Sequence, residues 1–171
     1  IKKLTIDKLF VLLSMIAYHI HFHKTYPISE SGIESIIDTY NEDYGNDVNA
    51  SDVIDIIVNA KILVICGNGY DYRFSNRNYL AFFTAREIHR KYNNDGDDSD
   101  LKQILHLSCY DINSDILLFI TYITDNNRIL RLILDMANSL THSWTEYCSV
   151  AQNPLFLQSN KAGGDSLLDS E

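Results

Sequence analysis

Ile62-Leu63-Val64-Ile65-Cys66-Gly67-Asn68-Gly69-Tyr70-Asp71-Tyr72-Arg73-Phe74 is the stretch whose reading decides the fold. Its first five residues are an apolar, β-rich run, and its last five alternate apolar and polar. Gly67-Asn68-Gly69 lies between them, and Gly and Asn tolerate the positive φ that a tight turn demands. The stretch predicts a β-hairpin.

Upstream of it the periodicity is helical. Leu9, Leu13, Ile16 and Ile20 predict a helix over about residues 4–24. Tyr26-Pro27-Ile28 then reads as an extended break, because proline disfavours helix in the residue before it. Ser31-Gly32-Ile33-Glu34 fits a capping box, with Ser29 as a second possible cap. Ile33, Ile36, Ile37, Tyr40 and Tyr44 form the apolar stripe of a second helix, stopped by Gly45 and Asn46. Asn49 caps a third helix, with Asp52 near its positive end and Val53, Ile56, Ile57 and Ala60 as its expected buried face.

Downstream of the hairpin, a fourth helix is predicted from about Asn76 to Tyr92. Tyr79, Leu80, Phe82, Phe83, Ala85 and Ile88 wrap most of its circumference, as expected of a helix buried between two layers. Phe82 and Phe83 lie about 100° apart around the axis, so each can face a different neighbour. Three helices, a hairpin and a helix make the winged-helix order.

The polar, acidic run Asn93–Asp100 predicts a linker. Beyond it, Leu101, Ile104 and Leu105 mark one short helix, and Ile112, Ile116, Phe119, Ile120 and Ile123 the next. Asn126 or Asn127 caps a third, carrying Leu130, Ile133, Leu134, Ala137 and Leu140. Ser143-Trp144-Thr145-Glu146 reads as another capping box. Gln152–Glu171 has the composition of a linker or disordered end. The expected class is mainly α: a winged-helix domain at 1–92, a helical arm or short bundle at 93–150, and a tail at 151–171.

Composition narrows the function. The chain has 171 residues and a formal net charge of −9, and begins at Ile1, as expected of a segment from a longer protein. Its apolar share of 46% suffices for a core. No run reaches the roughly 20 apolar residues of a membrane span. Cys66, Cys109 and Cys148 lack any CxxC spacing and read as reduced, structural thiols in a cytoplasmic protein.

Catalytic and metal motifs are missing. His19 and His23 sit one helical turn apart in His19-Ile20-His21-Phe22-His23, but no Asp, Glu or Cys beside them completes a ligand set. Gly67-Asn68-Gly69 leads into a strand rather than a helix, unlike a phosphate loop. There is no GxxxxGK[ST] and no GxSxG. The expectation is a segment with no catalytic residues and no metal.

Charge weighs against nucleic acid. From Ser29 to Ala60 there is no Lys or Arg, while Glu30, Glu34, Asp38, Glu42, Asp43, Asp47, Asp52 and Asp55 all fall there. Phosphate contacts need basic groups, and the third helix would be the one to make them. Arg77, Arg86, Arg90 and Lys91 cluster on the fourth helix, as a solvated edge or a domain contact.

The segment Tyr72-Arg73-Phe74-Ser75-Asn76-Arg77-Asn78-Tyr79-Leu80-Ala81-Phe82-Phe83-Thr84-Ala85-Arg86 resembles a signature of STAND-type NTPases with a NACHT module. In those proteins a strand ending in an aromatic passes through a polar step into an aromatic-rich helix, closing a winged-helix domain behind a P-loop ATPase core. Ile116–Thr124 is similar to the helical region that follows in bacterial members. Where many animal relatives carry a histidine that touches the ADP phosphate, Asn76 stands here, a hydrogen-bond donor without charge. The resemblance implies an ADP/ATP-dependent switch, with the nucleotide held mainly by an upstream core of the same chain. It implies a downstream sensor or helical repeats, oligomerisation on activation, and a role in antiviral defence. Two other readings stand beside it: a DNA-binding winged-helix regulator, and a helical adaptor with no link to nucleotide.

Overall fold

The computed structural model describes residues 4–67, 69–108 and 112–151, and their side chains as far as residue 139. Asn68, Cys109, the Cys148 side chain and residues 152–171 of the expected tail lie outside the described residues. By contacts, the chain divides into two compact units, Ile1–Asp125 and Asn126–Glu171.

The first unit begins with α1, Ile6–His23, capped by Thr5, whose hydroxyl accepts from the Lys8 amide. Leu12, Leu13, Ile16, Ala17 and Ile20 are its buried stripe. Ser14, in the same stripe, satisfies its hydroxyl by donating to the Phe10 carbonyl at 2.7 Å. Lys24 ends the helix in a left-handed conformation.

Strand β1 is only Ile28–Ser29, and α2 follows at once, Glu30–Tyr44. The cap of α2 is Ser29, which accepts from the Gly32 amide at 3.2 Å, and not Ser31 of the expected box. The cause is Ile28: it is buried and pairs with Tyr72, so the chain can turn helical only from the next residue. Gly45 ends α2 in the left-handed region that favours glycine. In the following loop the Asn41 side chain both donates to the Val48 carbonyl and accepts from its amide, each at 2.9 Å.

Helix α3, Ala50–Asn59, is capped by Asn49 as expected. Its buried face is Val53, Ile54 and Ile57, whereas Ile56 and Ala60 are exposed. The apolar pairs Val53-Ile54 and Ile56-Ile57 allow two overlapping buried faces, and packing on the sheet selects the one holding Ile54. Strands β2, Leu63–Cys66, and β3, Asp71–Phe74, form the expected antiparallel hairpin, with Leu63 opposite Phe74 and Cys66 opposite Asp71. The turn places Gly67 at φ 64° and Gly69 at φ 93°. The sheet has three strands in the order β1-β3-β2.

Helix α4, Arg77–Asp95, runs three residues further than expected, to Gly96 at φ 70°. Asn93, Asn94 and Asp95 are polar but do not break a helix; Gly96 does, by adopting the left-handed cap. The expected linker shrinks to Gly96–Asp98, and Asp97 closes it by accepting from the Ser99 amide at 2.9 Å and hydroxyl at 2.8 Å. Helices α5, Ser99–His106, and α6, Asn113–Ile123, follow. Helix α4 packs between α1 and α6, and α5 packs on α6. The core joins α1, α2, α3 and the sheet to Phe83 of α4.

The second unit contains α7, Asn127–Ala151. Asn126 accepts from the Arg128 amide at 2.9 Å, in keeping with its expected capping role. The helix is continuous through Ser143–Glu146, so no new helix begins there. Among the described residues the chain is mainly helical, with seven helices and one small antiparallel sheet.

Candidate functional site, a cationic cleft at the start of α4

Asn76 is the hinge of the strand-to-helix step. Ser75 fixes the turn before it, its amide donating to the Ile62 carbonyl at 2.9 Å and its hydroxyl to the Lys61 carbonyl at 2.6 Å. The Asn76 side-chain oxygen then caps α4 by accepting from the Asn78 amide at 2.8 Å. That bond commits Oδ1, and the exposed Asn76 keeps its Nδ2 as a donor at the positive end of the helix dipole.

Asn76 borders a cleft of about 750 Å³ within the first unit. One wall is the C-terminal end of α1 with Lys24 and Tyr26; another is the step from Arg73 to Arg77; α5 and α6 close it with Ile104, Leu107 and Asn113. Lys24, Arg73 and Arg77 all line it, and among the described residues no Asp or Glu does. In a chain with 23 acidic and 14 basic residues, that is a local reversal of sign. Arg77 is held from the side by Asp115 of α6, Nε to Oδ2 2.9 Å. Asn113, only 6% exposed, donates from Nδ2 to the Leu107 carbonyl at 2.9 Å, while its buried Oδ1 has no partner.

The other basic residues of α4 are neither a plain solvated edge nor a free contact patch. Each ties α4 to another element of its own unit. Arg86 lies over the rings of Phe10 and Phe82, at 5.3 and 5.9 Å from their centroids. Arg90 grips the buried Glu87 with two hydrogen bonds and donates to the Tyr44 hydroxyl at 2.7 Å. The Glu87 bonds are the main reason the Arg90 pKa rises above its ordinary value. Lys91 donates to Tyr18 at 2.7 Å and to Asp100 at 2.9 Å, and Tyr18 donates to the same Asp100 oxygen at 2.8 Å. Burial pushes the Tyr18 phenol upward; it also works against the charged Lys91, but the bonds to Asp100 and Tyr18 outweigh it and raise that ammonium too.

His19 and His23 pack their rings 4.5 Å apart, and burial, then the proximity of His23, lowers the His19 pKa. Among the described residues no three His, Cys, Asp or Glu side chains converge as a metal site would require. No helix among them is long and apolar enough to cross a membrane.

Sequence reasoning singled out Asn76 and the basic residues of α4, but not Lys24, Arg73 or Asn113 as neighbours of Asn76. Arg73 lies only three positions from Asn76, but Lys24 and Asn113 come from separate elements more than thirty positions away, and no local pattern joins them.

The model of a family described as Novel STAND NTPase 4 matches residues 26–84, about a third of the chain. The matched stretch runs from Tyr26 through both hairpin strands and into the first half of α4, so it includes Arg73, Asn76 and Arg77. It supports an association of this chain with STAND-type NTPases. No curated protein and no solved structure matches the chain.

Proposed function

We propose that this chain is the regulatory winged-helix and helical segment of a STAND-type NTPase of the NACHT kind. It controls an ADP/ATP-dependent switch and the oligomerisation that follows, in antiviral defence. The observation that carries the reading is the family match, which ends in α4 just past the cationic step at Asn76. The order α1-β1-α2-α3-β2-β3-α4, with β1 completing the sheet beside the hairpin, supports the winged-helix assignment.

In this reading the segment does no chemistry of its own. A P-loop core upstream in the same cytoplasmic protein holds the nucleotide, and a sensor or helical repeats follow downstream. Asn76 donates from Nδ2 to the ADP phosphate in the resting state, with Arg73 and Lys24 adding charge nearby. Exchange for ATP releases that contact, and α4 carries the motion to α6 as a lever. The regulator reading, with α3 in the major groove, is disfavoured by the exposed Asp52 and Asp55 on that helix.

The test uses the full-length parent protein loaded with ADP. Asn76→Asp keeps a good helix cap but replaces the donor with a negative charge. Faster ADP release and a shift toward oligomer are the expected results. Unchanged release, with the winged-helix unit still folded, removes Asn76 from the switch.

A further inference from the structure

The cleft beside Asn76 has room for far more than one hydrogen bond. Its volume of about 750 Å³ falls inside the range of roughly 300–1,000 Å³ seen for small-molecule pockets. Two features of its lining converge on one chemistry. Phe22, Leu80 and Ile104 supply an apolar floor. Lys24 and Arg73, both exposed, have no ion-pair partner among the described residues, so their charge is available to an occupant.

We infer that the cleft is a binding site for a small amphiphilic anion: a phosphate, sulfonate or carboxylate on an aromatic body. The anionic group meets Lys24 and Arg73, and the ring system covers the apolar floor. Arg77 contributes less, because Asp115 already engages it. The inference goes beyond the switch reading and does not need it, since every recognition element belongs to this chain. If both hold, an occupant and the core-bound nucleotide compete for the same rim, and the ligand acts as a regulator of docking.

The probe is 1-anilinonaphthalene-8-sulfonate, which joins a sulfonate, fused rings and an N–H. It is titrated into the 171-residue chain and followed by fluorescence. Saturable binding to one site is expected, with shifted amide signals at Leu80, Ile104 and Asn113. The double variant Lys24→Glu/Arg73→Glu changes only exposed positions, and circular dichroism checks that it folds. It should bind about tenfold more weakly or worse, because two attractive contacts become repulsive. The uncharged analogue N-phenyl-1-naphthylamine should show a comparable loss. Non-saturable binding, or equal affinity in the double variant, overturns the site. Inorganic phosphate binding as tightly as the dye overturns the amphiphilic class and leaves only an anion patch.

Discussion

Phe82 and Phe83 are neighbours in sequence and point their rings at different helices. Phe82 meets Phe119 of α6 edge-on at 5.6 Å, and Phe83 meets Phe10 of α1 edge-on at 5.6 Å. Phe83 also lies 6.2 Å from Phe74 of β3, so it ties α4 to the sheet side of the core. The two rings touch each other at 5.2 Å, and the aromatic chain therefore runs unbroken from α1 through α4 to α6.

Truncation of the two rings should have separable effects. Phe83→Ala empties a buried core position and should cost about 3–5 kcal/mol of global stability in urea denaturation. Phe82→Ala acts on a half-buried ring, so the global loss should be smaller and faster hydrogen exchange should concentrate in α6. Equal exchange in α6 for wild type and Phe82→Ala would show that Phe119 does not need its partner.

The strand-to-helix junction at Ser29 gives a second test. Ser29→Ala removes the cap of α2 and should cost about 1 kcal/mol. Ser31→Ala should be close to neutral, since its hydroxyl touches only that of Ser29 at an exposed site. Denaturation midpoints of the two variants decide between them, and the reverse order would restore the Ser31 box.

The Tyr18–Lys91–Asp100 cluster predicts a loss of stability in alkali. Both Tyr18 and Lys91 have folded pKa values above their ordinary ones. A raised folded pKa means the folded state keeps a proton that the unfolded chain releases. The stabilisation is therefore complete below the unfolded values, about 10 for both groups, and disappears as pH rises through the folded ones. Urea stability should hold from neutral pH to about 9 and then fall. Tyr18→Phe removes both hydrogen bonds of the phenol, and should cost about 1 kcal/mol at neutral pH and flatten the alkaline fall. An alkaline slope unchanged by Tyr18→Phe would assign the fall to other groups.

A fourth expectation concerns the clasp of Asn41 on Val48. Asn41→Ala strips hydrogen bonds from both the amide and the carbonyl of the buried Val48, and should cost about 1–3 kcal/mol. Asn41→Asp keeps the acceptor and loses the donor, and should fall between wild type and alanine. The same urea titrations measure it.

The hairpin and the first four helices were legible because their signals are local: glycines where φ is positive, a cap at Asn49, and stripes at helical spacing. Strand β1 was not, since two residues carry no period and exist as a strand only because β3 offers Tyr72 and Asp71. The buried face of α3 slipped by part of a turn because Ile54 and Ile56 are equally apolar, and only the sheet distinguishes them. At the site, Asn76 was legible through resemblance. The cleft around it was not, because Lys24 and Asn113 reach it by tertiary packing alone. The roles of Arg86, Arg90 and Lys91 were hidden for the same reason: their partners Phe10, Tyr44 and Tyr18 lie far upstream.

At Ser29 one residue ends a strand and starts a helix, with no slack between. Ser29 is paired with Asp71, and the next amide, Glu30, still donates to Tyr70 at 2.9 Å, so the sheet grips the first turn of α2 itself. A torque on α2 is therefore passed to the hairpin rather than absorbed at the joint.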